Sequence, residues 1–119
     1  MRRLSRWPSY KPSDPLNNLA AAWHAYEFNV CSSVACYDQN TAPTAAQAPL
    51  IATEIGTMTC SSVFMNMVMG WLDAKVQSYT AHAWEIWGND CSTMGLISDY
   101  GGTPTPYGQL YKTHLATLP

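Results

Sequence analysis

The chain has 119 residues, which is enough for one domain and too few for two. Its net charge is −2 and only 12% of its residues are charged, so the composition predicts neither a nucleic-acid partner nor an anionic membrane surface. No run approaches the ~20 consecutive apolar residues of a transmembrane helix, which excludes that class.

The cysteines indicate an oxidising compartment. The chain has four of them, Cys31, Cys36, Cys60 and Cys91, which permit three pairings. No CxxC pair or zinc-finger spacing is present, so no metal site is predicted. Cys31 with Cys36 could close a short loop, and Cys60 with Cys91 could tie two strand-end loops, a usage typical of extracellular proteins. The N-terminus lacks the apolar segment of a secretion signal, so we expect that the natural start was removed or that a longer chain was cut.

The first part of the chain is rich in proline and poor in aliphatic residues. We interpret residues 1–18 as an irregular N-terminal arm and residues 19–119 as the folded domain. The next segments are predicted to be a strand with His24 and Tyr26 on one face (19–28), a loop with two cysteines (29–40) and a short helix whose start Pro43 delays (41–48).

The segment from Pro49 to Gly56 is predicted to be a buried strand. Leu50, Ile51 and Ile55 are strand formers, and Glu54 stands at the carboxyl end, where α/β folds place their chemistry. Because burying an unpaired carboxylate is costly, Glu54 is either functional or turned to solvent or a structural partner.

The second half of the chain alternates helix, strand and helix. Ser61 or Ser62 can cap a helix to about Lys75, and Thr105-Pro106 provides the N-cap and first residue of a last helix. Between them a strand over 78–84 places His82 and Trp84 on one face, and a loop follows over 85–102. The predicted inner residues of the two helices are Val63, Phe64, Met67, Val68, Trp71, Leu72, and then Tyr107, Leu110, Tyr111, His114, Leu115, Leu118. The methionines of the first helix are interpreted as packing residues. This alternation predicts parallel strands joined by crossovers.

Four segments in order resemble a family of known enzymes. They are WPSYKPSDPLNNLAAAWHAY (7–26), PLIATEIG (49–56), SYTAHAWEIWG (78–88) and LISDYGGTPTPYG (96–108). Together they resemble the C-terminal part of a family 5 glycoside hydrolase of the cellulase (endo-β-1,4-glucanase) type, over residues 7 to about 117.

The resemblance implies an α/β fold that is part of a (β/α)8 TIM barrel, with three parallel βα units similar to units six to eight. It implies retaining hydrolysis of β-1,4-glucan, with Glu54 as the nucleophile. His24 and Tyr26 match the family's His-x-Tyr and would hold the nucleophile or sugar hydroxyls; the alternative for His24 is a satisfied core histidine. The implied partner is a cellulose or β-glucan oligosaccharide, and this chemistry needs no metal or organic cofactor.

The chain also departs from the family pattern. The family's acid/base Glu lies in a region that is absent here, and Glu54 cannot both attack and protonate a leaving group. Glu27 and Glu85 alternate away from the site, and the reach of the loop residues Asp38, Asp90 and Asp99 is open. Substrate-binding candidates are His82, which stands where the family places a Trp platform, and Trp84 and Trp87, which are platforms or core residues.

Three functions follow from these observations: a cellulase-like hydrolase, a degenerate carbohydrate-binding module, and a truncated barrel that folds by oligomerising. Three parallel strands cannot close a barrel, so the sequence also predicts self-association that covers the open sheet edges.

Overall fold

The computed structural model describes residues 4–119 and contains one three-stranded sheet with helices. The strands are β1 (Ala21–Tyr26), β2 (Leu50–Gly56) and β3 (Ser78–Ala81). The helices are α1 (Val34–Asn40), α2 (Ala42–Ala45), α3 (Ser62–Ala74) and α4 (Pro106–Leu115). The strands are ordered β1-β2-β3, and both pairs are parallel. The predicted alternation of parallel strands and helices is confirmed, and the sheet is open.

The core lies between one face of the sheet and the helices. Its members from the sheet are Ala21, Ala25, Leu50, Ala52 and Ile55, and those from α3 are Phe64, Met65, Val68, Met69, Trp71 and Leu72. The other face of the sheet exposes Ala22, His24, Thr53, Ser78 and Thr80. Helices therefore cover only one side of the three strands.

The face of α3 that packs on the sheet differs in part from the prediction. Val63 is 80% exposed, whereas Met65 and Met69 are fully buried. The buried arc therefore runs through Met65, Val68, Met69 and Leu72, and Val63 lies outside it. The interpretation of these two methionines as packing residues is confirmed.

Several elements differ from the prediction. Residues 34–40 of the predicted loop form α1, because the Ser33 hydroxyl accepts the Cys36 N–H at 3.3 Å and caps the helix. Pro43 does not delay α2, since it lies in the first turn, where a backbone N–H has no partner to lose. β3 ends at Ala81 instead of Trp84, because the Ala83 N–H turns to the Met94 carbonyl at 3.0 Å.

Further local structure lies outside the strands and the first three helices. Leu4–Tyr10, within the predicted arm, form a 3-10 helix, and Cys91–Thr93 form another in the predicted loop. The cap of α4 is confirmed, with the Thr105 hydroxyl accepting the Gly108 N–H at 3.0 Å. Tyr107 is buried as predicted, but Leu115, the last residue of α4, is 40% exposed. Leu118 follows the helix and is 38% exposed.

Two disulfides fasten the loops, Cys31–Cys36 and Cys60–Cys91. Both are pairings that the sequence analysis named. The second joins the loop after β2 to the loop after β3. None of the helices described over residues 4–119 has the length and apolar character needed to cross a membrane.

Candidate active site

A β-bulge sets the direction of Glu54. Trp23 pairs with Ala52, but the next residue, His24, pairs with Glu54, so Thr53 is an extra residue on β2. Strict alternation from Leu50 and Ala52, both buried, would send Glu54 into the core. The bulge instead turns both Thr53 and Glu54 away from the core and returns Ile55 to it.

His24 and Tyr26 both contact this carboxylate. The Tyr26 hydroxyl donates a hydrogen bond to Glu54 Oε2. His24 Nδ1 lies 3.4 Å from the same oxygen, and the two side chains are 43% and 31% exposed. The structure therefore brings together the three residues that the sequence predicted as catalytic, at the carboxyl ends of β1 and β2. The half-exposed His24 ring does not fit the alternative of a satisfied core histidine.

Tyr26 is held tightly in place. Its side chain is almost fully buried, and its ring stacks on Phe28 with centroids 5.0 Å apart. A Cβ on Gly56 would come within 2.8 Å of the Tyr26 ring, so the ring needs a glycine at this position. Burial, the hydrogen bond to Glu54 and its negative charge all raise the pKa of Tyr26. The phenol therefore stays protonated and remains a donor at neutral pH.

The other acidic residues of the chain have hydrogen-bond partners of their own. The chain has eight acidic residues, all within the described part. Each of the other seven is hydrogen-bonded to a residue other than His24, Tyr26 or Glu54: Asp14 to Leu16, Glu27 to Thr57, Asp38 to Trp71, Asp73 to His114, Glu85 to Tyr100, Asp90 to Ser92, and Asp99 to Thr103.

Three loop carboxylates that could act as a general acid have lowered pKa values. The backbone N–H of Ile86, with the Tyr100 hydroxyl, lowers the pKa of Glu85. Hydrogen bonds from Ser92 and from Thr103 likewise lower the pKa values of Asp90 and Asp99. A general acid needs a raised pKa, so these three carboxylates do not fit the role.

The predicted substrate-binding residues, His82, Trp84 and Trp87, all follow the end of β3. The His82 backbone N–H donates to the Ile55 carbonyl at 3.0 Å, which places His82 beside the end of β2. Its buried Nδ1 has no partner among residues 4–119, and its ring lies 5.4 Å from that of Trp87. Trp84 is 67% exposed, with its ring beside Gly102. Because β3 ends before His82, strand alternation does not relate His82 to Trp84.

A cavity of about 770 Å³ lies along the free edge of β1. Ala22, Trp23 and His24 all line it, although successive strand residues point to opposite faces. Contact with three successive residues means that the cavity follows the strand edge itself. Its lining contains no Asp, Glu, Lys or Arg. Across residues 4–119, no group of three or more His, Cys, Asp or Glu side chains is arranged to hold a metal ion.

Comparison with known proteins bears on the fold. The structure is similar to the native crystal structure of the β-glucanase SdGluc5_26A from Saccharophagus degradans, with a TM-score of 0.77 and 20% sequence identity. The fold of this chain is similar to part of a β-glucanase. The match covers 96% of this chain and 38% of that one. The crystal structure of the same enzyme in complex with cellotetraose matches with a TM-score of 0.74, again at 20% identity. No family model matches the sequence, and neither does any curated protein sequence.

The predicted α/β fold, a partial TIM barrel like part of a β-glucanase, is therefore confirmed. The chain spans 38% of the length of the β-glucanase that it resembles. An identity of 20% establishes the fold alone, so the roles of Glu54, His24 and Tyr26 rest on the geometry of this chain.

Sequence reasoning missed two features of the site. One is the bulge at Thr53, whose signal is the polar pair Thr53-Glu54 that interrupts an apolar strand. The other is Glu27, whose carboxylate accepts hydrogen bonds from three residues of the loop after β2. Nothing local in the sequence indicates this contact, because its partners are about thirty residues further on.

Proposed function

We propose that this chain supplies the nucleophile half of a retaining β-glucan hydrolase site. The observation that carries the proposal is the convergence of His24 and Tyr26 on one oxygen of Glu54. A retaining glycosidase needs an ionised carboxylate that is oriented toward the anomeric carbon of the sugar. The likeness to a β-glucanase that was crystallised with cellotetraose supports a β-glucan oligosaccharide as the substrate class.

The chemistry follows from the three side chains. A Glu54 oxygen attacks the anomeric carbon, the bond from that carbon to the leaving oxygen breaks, and the bonding pair departs with the leaving group. Tyr26, whose raised pKa keeps its proton, orients the carboxylate through its hydroxyl. The exposed His24 ring is the proposed partner of sugar hydroxyls, with the His82 side chain beside the end of β2 as a second candidate. Trp84 and Trp87 are the proposed stacking surfaces.

The acid/base residue of this proposal comes from outside residues 4–119. Retention needs a second carboxyl group about 5 Å from the nucleophile, and the other acidic residues of the chain are engaged elsewhere. The free edge of β1, with its cavity beside His24, is where further barrel units would join. On this proposal the whole site belongs to a larger assembly of barrel units.

The proposal is tested with 2,4-dinitrophenyl β-cellobioside, whose leaving group departs without protonation. Glu54 can then form the covalent bond to the sugar without an acid, but without a base the hydrolysis of that bond by water is slow. We expect a burst of about one equivalent of dinitrophenolate per chain, followed by slow turnover. Cellotetraose, which needs an acid, should not be cleaved. Absence of a burst at saturating substrate would contradict the proposal.

A carbohydrate-binding module without turnover is the second candidate, favoured by the exposed rings of Trp84 and Trp87. The same experiment separates the two functions. Binding of cellotetraose, detected by calorimetry, with no burst from the activated substrate would support the binding module.

We also propose that the isolated chain self-associates and that it functions in an oxidising, extracellular compartment. The extracellular compartment is supported by the two disulfides.

Self-association is supported by the bare face of the sheet and the unpaired edges of β1 and β3 within residues 4–119. Light scattering over a wide concentration range should show a mass above 13.1 kDa that rises with concentration. A single monomeric species throughout would refute self-association.

A further inference from the structure

Glu27 is the most fully bonded acidic residue near the site. Its Oε2 accepts hydrogen bonds from the hydroxyls of Thr57 at 2.7 Å and Thr59 at 2.9 Å, and its Oε1 accepts the Met58 N–H at 2.8 Å. No Lys, Arg or His of the described chain forms an ion pair with it. Its negative charge is therefore balanced by three donors from one loop.

This contact joins the two strand ends that carry the site. Glu27 directly follows Tyr26 at the end of β1, and Thr57 directly follows Gly56 at the end of β2. The fully buried Thr57 hydroxyl also accepts the Ser61 N–H at 3.0 Å, and Ser61 is the N-cap of α3. Glu27 thus connects the end of β1 through Thr57 to the start of α3.

We propose that Glu27 is a positioning residue that fixes Tyr26 against Glu54. The ladder between β1 and β2 ends at the pair Tyr26 and Gly56, so backbone pairing does not hold the strands beyond that point. The three bonds of Glu27 lie one residue further on and resist the separation of the two strand ends. Charged acceptors form the stronger hydrogen bonds, which suits a carboxylate for this task.

The inference rests on the proposed role of the Tyr26–Glu54 pair, but its test needs no turnover. The test uses the full chain with tyrosine labelled with ¹³C at the ζ carbon, and NMR measurement of hydroxyl-proton exchange. In the unmodified chain the Tyr26 hydroxyl should exchange slowly, because it is bonded to Glu54. In Glu27→Gln it should exchange at least about tenfold faster, the factor expected for loss of one hydrogen bond to a charged group.

Tyr107 is the internal control. Its hydroxyl donates to the carbonyls of Ile55 at 2.8 Å and His82 at 3.1 Å, so it reports on the same sheet but is held by α4. Its exchange should not change in Glu27→Gln. Asp99→Asn, which alters a carboxylate bonded to Thr103 within its own loop, should leave both tyrosines unchanged.

Two outcomes would overturn the proposal. Equal acceleration at Tyr26 and Tyr107 would show general loosening of the domain, and no acceleration at Tyr26 would show that Glu27 does not position it. If Glu27→Gln fails to fold, Thr59→Val takes its place, because it removes one exposed hydroxyl bond and leaves those of Thr57 and Met58. It should accelerate exchange at Tyr26 alone, by a smaller factor. Loss of the dinitrophenolate burst with this exchange pattern intact would count against the hydrolase and not against Glu27.

Discussion

Replacing Glu54 by glutamine is expected to lower the rate of dinitrophenolate release by at least about 10³-fold, the scale typical of removing a catalytic nucleophile, so that no burst is seen. The amide is neutral and a poor nucleophile, but its oxygen still accepts the Tyr26 hydroxyl. The fold should therefore persist, since the shape of the side chain and its hydrogen bond to β1 are retained. Stopped-flow absorbance of the phenolate measures the effect.

The matched control is Glu85→Gln. Glu85 is also a carboxylate that accepts a tyrosine hydroxyl, from Tyr100 at 2.9 Å, but it lies in the loop after β3. Its burst should equal that of the unmodified chain. Equal bursts from Glu54→Gln and Glu85→Gln would show that Glu54 is not the nucleophile.

Replacing Gly108 by alanine is expected to cause the largest loss of stability. A Cβ at this position would lie 1.9 Å from the Leu96 carbonyl oxygen and 2.8 Å from its carbon. That carbonyl also accepts the Thr105 N–H at 3.0 Å, so the backbone cannot move without breaking the start of α4. The cost should reach about 3 kcal/mol or more, at the upper end of the range for overpacked sites.

Gly70→Ala is the control for this prediction. Gly70 lies inside α3, and a Cβ there would meet nothing within 4 Å. Alanine at this position should stabilise the chain by about 0.5–1 kcal/mol, because glycine is unfavourable inside a helix. Urea unfolding followed by circular dichroism measures both variants. Similar stabilities for the two would contradict the close contact at Gly108.

Much of the fold was predictable because local chemistry determines it. Ser61 caps α3 and Thr105 caps α4 through hydroxyls that bond within their own first turns, so the sequence shows both starts. The apolar run of β2 likewise marks a buried strand. The seven-residue α1 was missed because, within that helix, only Tyr37 is buried and no apolar periodicity is visible.

The features that were not predictable depend on distant partners. β3 ends early because Ala83 bonds to Met94, a residue in the following loop. The structure brings His24, Tyr26 and Glu54 together, but the direction of their side chains depends on the register between β1 and β2. That register includes the bulge at Thr53, which a single strand cannot reveal.

The site itself was predictable to the extent that it uses strand ends. Parallel strands place their carboxyl ends at one edge, so His24, Tyr26 and Glu54 had to lie near one another. The contact of Glu27 with the loop after β2 could not be foreseen, because it joins segments about thirty residues apart.

The measurement that tests the central claim most directly is the location of a trapped sugar. A 2-deoxy-2-fluoro-cellobioside with a dinitrophenyl leaving group should transfer its sugar to the nucleophile and leave it there, because the fluorine slows release. Mass spectrometry of the digested chain should find one cellobiosyl adduct, and fragmentation should place it on Glu54, within the segment Leu50–Gly56. An adduct on Glu27, Glu85 or any other residue, or no adduct on folded chain, would contradict Glu54 as the nucleophile.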